Sequence, residues 1–241
     1  MSSSVLDFSG QVALVTGASG ALGSVVARRL LFETGARLVL PDREPEKLRR
    51  VFPGIGEDTV LAQACDVTDP EAVEALVQAA VERFGRIDIV CNVAGGFRGG
   101  APVHQTDVAE WDFLMNLNSR AVFLVCRAVA PVLLRSGGGR IVNVASRGAL
   151  AGDAGVAAYS ASKAAVLRLT ESLSAELKAQ GVRVNAVLPG TIDTAANRAA
   201  MPGADRSRWV DPEALADVIL FLLSDAARAV HGAALPVYGL G

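Results

Sequence analysis

The chain has 241 residues, of which 51% are hydrophobic, with a formal net charge of −2 and a mean hydropathy of +0.36. That apolar content can fill one sizeable core, and the near-neutral charge removes the electrostatic basis for binding nucleic acid or an anionic membrane. The opening "MSSSVLDFSGQ" lacks a basic stretch followed by an apolar one, and no apolar run looks long enough to span a bilayer uninterrupted, so a cytoplasmic protein is expected. Cys65, Cys91 and Cys126 lie in apolar segments without Cys-x-x-Cys pairing, as buried reduced thiols would. His104 and His231 have no second ligand at metal-binding spacing, so no metal is expected.

The sequence alternates short β-branched or Leu-rich runs with longer helical patterns. Strands are predicted over Val12–Thr16, Ala36–Leu40, Val60–Ala64, Ile87–Asn92, Arg140–Val144, Arg183–Leu188 and Ala234–Val237. These runs are near-continuously apolar rather than alternating, as in strands covered on both faces. Helices are predicted over Gly20–Glu33, Asp69–Phe84, Val108–Leu134, Val156–Ala179 and Pro212–Leu223, the second opened by an N-cap and proline, Asp69-Pro70. This alternation implies an α/β fold with a doubly wound sheet of seven mainly parallel strands flanked by helices, in one Rossmann-type domain spanning 1–241. Thr194–Asp211 has poor periodicity and reads as a loop or short helix over a pocket.

The first strand runs into a glycine turn and a helix in "VALVTGASGALGSVVARRL". Gly17, Gly20 and Gly23 lack Cβ atoms, which lets a backbone turn tightly and lets a diphosphate reach the amides at the helix start. A tight βα turn without a nucleotide is the alternative. Asp42 ends the second strand 19 positions after Gly23, where a carboxylate accepts from ribose hydroxyls and repels a 2′-phosphate. NAD(H) is therefore preferred, while the adjacent Arg43 keeps NADP(H) open. In "CDVTD", Asp66 can accept from an adenine amino group with Val67 beside the ring, or simply cap its own loop. In "CNVAGG", Ala94 and Gly95 allow a ribose close to backbone; Asn92 is counted with this cofactor-binding set, and reads as a tie between strands rather than a substrate contact.

Tyr159 and Lys163 are i and i+4 on a predicted helix and share one face. An ammonium beside a phenol favours phenolate, so the tyrosine pKa is expected to fall and the residue to serve as acid or base at a carbonyl/alcohol pair. Ser146 follows the fifth strand, at the carboxyl edge where open α/β sheets bind ligands, and could hold the substrate oxygen.

From Gln11 onward the chain resembles the short-chain dehydrogenases/reductases, through "TGASGALG", "CNVAG", "WDFLMNLNSRAVF", "IVNVAS", "YSASK" and "VNAVLPGTIDT" in the family's order. The resemblance implies a catalytic tetrad of Asn118, Ser146, Tyr159 and Lys163. Tyr159 would transfer the proton, Ser146 orient the substrate, Lys163 also bind the nicotinamide ribose, and Asn118 hold a water in a proton relay. Ser19, Gly20, Ala21 and Leu22 belong to the implied cofactor turn, and Pro189, Gly190, Ile192 and Thr194 would line nicotinamide and diphosphate. Three departures stand out: Ala21 occupies the place of the family's middle glycine, the usual Asn-Asn-Ala-Gly reads Asn92-Val93-Ala94-Gly95, and the C-terminal Asp-Gly-Gly reads Tyr238-Gly239-Leu240.

Locally, "GALGS", "VAGGFRGG" and "LPGTIDTAANRAAMPGADRSRW" resemble dihydropteridine reductases, an NADH-using branch that usually lacks the serine found here as Ser146. The leading expectation is hydride transfer on a small-molecule carbonyl/secondary alcohol pair, with NADH-dependent pterin reduction as the alternative. A nucleotide-binding regulator without turnover is the reading from another class, and the intact tetrad argues against it. The pocket expected from 96–102, 147–154 and 195–209 offers Phe97, Arg98, Arg147, Met201 and Trp209, a set suited to an anionic or ring substrate. Helical stretches such as "AVFLVCRAVAPVLL", apolar around most of their circumference, imply pairing with further subunits, and the resemblance implies a homodimer or homotetramer.

Overall fold

In the computed structural model, which describes residues 6–54, 56 and 58–241, the strands are Val12–Thr16 (β1), Arg37–Asp42 (β2), Val60–Ala64 (β3), Ile89–Asn92 (β4), Gly139–Val144 (β5), Val182–Pro189 (β6) and Ala234–Val237 (β7). Residues 1–5 of the stretch read for a leader lie outside the described residues. All seven predicted strands are present, shifted by no more than two residues at either end. They form one sheet in the order β3-β2-β1-β4-β5-β6-β7, with every pairing parallel. The order reverses direction between β1 and β4, so a crevice opens above their carboxyl ends, where this class of sheet binds ligands.

Neighbouring strand residues pack on opposite faces of the sheet. Val12 and Leu14 of β1 join one buried cluster, while Ala13 and Val15 join the other. The first cluster is closed by helices α3 (Pro70–Phe84), α5 (Ala121–Arg135) and α6 (Ala157–Leu177). The second is closed by α1 (Ala21–Phe32), the short α2 (Pro45–Val51) and α8 (Pro212–Leu223). Helix starts follow local chemistry: Asp69 accepts from the Glu71 amide and Asp211 from the Glu213 amide, both at 3.0 Å, each with proline at the next position.

The long helix predicted from Val108 is three pieces: α4 (Val108–Leu114), a π turn (Met115–Arg120) and α5. Together Val108–Arg135 is 28 residues with hydropathy 1.5 in its most apolar window, long and apolar enough to cross a membrane by length and composition alone. This corrects the expectation that no such run exists; the charged residues that interrupt it are too sparse to lower the window average. Within the fold 56% of that window is buried, and Val122, Val125, Cys126, Val129 and Leu133 sit in the core beneath the sheet. The Thr194–Asp211 segment contains a short α-helix, α7 (Ala195–Ala200), and a 3-10 turn (Arg206–Arg208), and its end returns to the loop after β6 through the parallel bridge Ile192–Val210.

Candidate active site

The loops leaving β1 and β4 are drawn together by Thr16, whose hydroxyl accepts the Val93 and Ala94 amides, both at 3.0 Å. At that seam Gly17 has φ +70°, and a Cβ there would stand 2.9 Å from Ala94 Cα. A Cβ on Gly23 would meet the Gly17 carbonyl oxygen at 2.1 Å, so neither position tolerates a side chain. Gly20 is the N-cap of α1; it makes no side-chain cap, and the first turn carries no acidic residue. The opening amides of α1 thus lack a side-chain acceptor, and the bend above them is kept tight by the missing Cβ atoms of Gly17 and Gly23. An anionic diphosphate fits this cradle.

Asp42 is fixed at the end of β2 by the Ser19 hydroxyl at 2.5 Å and the Glu44 amide at 2.8 Å. Asp66 gives one oxygen to its own turn, accepting the Thr68 hydroxyl at 2.7 Å and amide at 2.9 Å; those bonds hold its carboxyl below the ordinary range. From here a cleft of about 1000 Å³ runs past the ends of β4 and β5 to the 189–194 loop, at the upper end of sizes for small-molecule sites.

At the other end of the cleft, α6 presents Tyr159 and Lys163 on one face, opposite Ser146. Ser146 has extended backbone, caps the turn that follows it by accepting the Gly148 amide at 3.2 Å, and faces the Tyr159 phenol closely enough to lower its pKa. Phe97 stands edge-on to the tyrosine ring, with centroids 4.9 Å apart. Lys163 is buried and donates to the Val144 carbonyl at 2.9 Å.

The expected lowering of the phenol pKa by Lys163 does not occur in the chain by itself. Burial raises the Tyr159 pKa, Ser146 offsets part of that, and the lysine's own pKa is pushed down to about 8 by burial. A cation that is itself desolvated and tied to a backbone carbonyl gives the phenol little help. The protonated phenol is therefore the resting form at neutral pH.

Asn118, on the π turn, is fully buried. Its Oδ1 accepts the Gly96 amide at 2.8 Å, and its Nδ2 donates to the Gly96 carbonyl and to Ser162 Oγ, both at 3.0 Å. Ser162 in turn donates to the Tyr159 carbonyl at 2.7 Å. Asn118 therefore clamps the loop after β4 to the helix turn that carries the tyrosine, and only one lone pair of its side chain is left for anything else. Asn92 does not line the cleft. Its amide donates to Asn143 Oδ1 at 2.8 Å, and Asn143 donates to Thr170 of α6 at 2.9 Å, so it ties strands and helix; this corrects its expected place in the cofactor-binding set, because its side chain is turned into the sheet and not the cleft.

The chain matches the short chain dehydrogenase family over residues 11–204. It is a short-chain dehydrogenase/reductase. Among curated relatives it is 36% identical to D-threitol dehydrogenase of Mycolicibacterium smegmatis, over 95% of this chain and 92% of that one. It is 37% identical to 2-(R)-hydroxypropyl-CoM dehydrogenase of Xanthobacter autotrophicus, over 95% and 97% of the two chains. The solved structure of a short-chain type dehydrogenase/reductase from Mycobacterium ulcerans superposes with a TM-score of 0.91 at 30% identity, covering 98% of this chain and 90% of that one. The chain is thus an oxidoreductase of a family that binds NAD(P)(H).

In this short-chain dehydrogenase/reductase the cleft wall includes Gly17, Ser19, Gly20, Ala21, Leu22, Asp42, Arg43, Asp66, Val67, Ala94, Gly95, Ser146, Tyr159, Lys163, Pro189, Gly190, Ile192 and Thr194. Of the expected substrate-pocket side chains it includes Phe97, Arg147 and Met201 but not Arg98 or Trp209. Arg98 lies instead over the Phe113 ring, 3.8 Å from its centroid, a non-local contact that nothing in "GGFRGG" announces. Sequence reading missed Phe113 and Leu117, which also line the cleft. Their i, i+4 spacing beside Asn118 was the available signal. It also missed Ser160, whose buried hydroxyl has no hydrogen-bond partner among the described residues.

Proposed function

We propose that the chain interconverts a small-molecule carbonyl and a secondary alcohol, with NAD(H) preferred. The observation that carries this reading is the convergence of Ser146, Tyr159 and Lys163 on one cleft whose opposite end is a glycine bend at the start of α1. Gly17 to Leu22 would hold the diphosphate, Asp42 the adenosine ribose, Lys163 and Gly95 the nicotinamide ribose, and Pro189, Gly190, Ile192 and Thr194 the nicotinamide end. The bound nicotinamide supplies a hydride to the carbonyl carbon in reduction and accepts one in oxidation.

The side chains handle the oxygen. Ser146 donates to the substrate oxygen and fixes its distance from the phenol. Tyr159, kept protonated by burial, gives its proton to that oxygen as it gains charge. In the reverse direction phenolate removes the alcohol proton, which calls for higher pH. Lys163 steadies the developing phenolate and holds the ribose. Asn118 keeps the Gly96 loop and the Tyr159 turn in register and is a positioning residue; a water on its remaining lone pair would extend the proton path.

Support for NAD(H) comes from Asp42, a carboxylate held in place by two hydrogen bonds where a 2′-phosphate would sit. The exposed Arg43 leaves NADP(H) as the second form. We also propose a homodimer or homotetramer through the α4–α5 face, where Trp111 of α4 and Phe123 of the mostly apolar α5 are 44% and 47% exposed; light scattering of the purified protein distinguishes these from a monomer.

The deciding assay follows nicotinamide absorbance with a panel of aldehydes, ketones and secondary alcohols, with quinonoid dihydropterin as a separate arm. Carbonyl turnover that drops roughly 100- to 1,000-fold in Ser146→Ala supports the reading. Turnover confined to the pterin, or indifferent to Ser146, overturns it.

A further inference from the structure

Four cationic side chains line the cleft among the described residues: Arg43, Lys47, Arg147 and Lys163. Two are tied to neighbours: Lys47 pairs with Glu44 at 2.7 Å and Lys163 donates to the Val144 carbonyl. Arg43 lies near Asp66 at the far end of the cleft from the tyrosine. Arg147 is the one at the reacting end with its side chain untied: it directly follows Ser146, it is exposed, and its guanidinium makes no hydrogen bond or ion pair among the described residues.

Its guanidinium stands 5.8 Å from the centroid of the Tyr238 ring. Tyr238 is itself anchored, since its backbone lies against Gly190 of the cleft, where an added Cβ would meet the Tyr238 carbonyl at 3.0 Å. An aromatic ring steadies a guanidinium without occupying any of its N–H donors. The cleft's carboxylate at this end is Asp153, whose Oδ1 accepts the Ala154 amide at 2.8 Å rather than pairing with Arg147. An arginine held by a ring, with its donors unfilled and a reacting serine as its neighbour, matches the fork geometry of a planar or tetrahedral oxyanion.

We propose that Arg147 binds an anionic group of the substrate, so that the carbonyl/alcohol pair is an oxo acid or hydroxy acid. Ser146 has extended backbone (φ −168°, ψ 158°), and successive side chains of such backbone diverge. The anion therefore sits several bonds from the reacting carbon, toward Tyr238, rather than next to it. This rests on the carbonyl–alcohol reading above for the identity of the reacting group, but the anion site is testable without turnover.

The test is calorimetric titration of levulinate, its next two longer homologues, the methyl ester of each, and the sulfonate matching the longest acid. Each is added to the chain with saturating oxidised cofactor, where a ketone cannot be reduced, and to the chain alone. Each acid is expected to bind roughly 10- to 100-fold more tightly than its ester, a preference weakened by added salt. In Arg147→Met the acid-to-ester ratio falls to about one, and Arg147→Lys keeps part of it. Equal binding of acids and esters by the native chain, a ratio unchanged in Arg147→Met, or no acid binding at all overturns the proposal. The sulfonate arm tells a site built for any oxyanion from one shaped to a carboxylate. Acid binding through Arg147 with no nicotinamide oxidation for acid or ester would sink the carbonyl–alcohol reading while leaving the anion site standing.

Discussion

The two ends of the cleft are built differently. At the end proposed for the cofactor the central surface is backbone, a glycine bend against Thr16 and Ala94 and the unfilled amides of α1, with Asp42 and Asp66 beyond it. At the chemical end it is made of side chains on separate elements, Ser146 after β5, Tyr159 and Lys163 on α6 and Phe97 after β4. A backbone surface is specified by where side chains are absent, so a few adjacent residues encode it. A side-chain surface needs distant segments brought into register, and its electrostatics depend on burial that only the folded chain creates.

The largest effect separating the two ends is expected from Gly23→Ala. Its methyl would collide with backbone at Gly17, which cannot rotate away as a side chain could, so strain of about 1–3 kcal/mol or more is expected. Cofactor binding by calorimetry should be lost, with Ser146 and Tyr159 left in place. Retained cofactor affinity would show that the bend is not the diphosphate cradle.

The next effect belongs to the seam within the chemical end. Asn118→Ala strips the Gly96 amide and carbonyl and the Ser162 hydroxyl of their buried partner. Thermal denaturation should register about 1–3 kcal/mol of lost stability, roughly 2–12 °C in Tm for a chain this size. The value of kcat should fall more than cofactor affinity. An unchanged Tm would contradict the clamp.

A smaller effect sharpens the electrostatic contrast. The pKa of Lys163 in the folded chain is lowered to about 8 from 10.5, so the unfolded chain binds the extra proton between those values. By linkage, this lysine disfavours folding most below pH 8, and its penalty is relieved as pH rises from about 8 toward 10.5. The stability of the native chain relative to Lys163→Met should therefore climb across that window. A flat difference would mean that the lysine is solvated.

Much of this was legible in advance, for reasons that follow the same division. The strands are short, mostly apolar runs between helices, the mark of a parallel sheet whose central strands are buried on both faces. The glycine bend and the Tyr159–Lys163 pair are local patterns. Helix α2 was missed because "PEKLRRV" buries only Leu48 and so shows no periodicity. The π turn has no pattern of its own, and the Asn118 clamp it creates joins residues 22 and 44 positions apart. The direction of the Tyr159 shift was misread because i, i+4 spacing reports proximity to Lys163 but not how deeply both are buried. The thiols were placed correctly. Cys65, Cys91 and Cys126 are all buried, and burial pushes their pKa values up to about 11, 12 and 12.

The most direct test of the account is the single-turnover rate of hydride transfer in Tyr159→Phe, measured beside its cofactor affinity. Removing one hydroxyl leaves the ring against Phe97 and the glycine bend untouched, so the account predicts native cofactor binding with hydride transfer slowed roughly 100- to 10,000-fold. A rate within a few-fold of the native chain would show that the proton comes from elsewhere and that the tyrosine is only part of the wall.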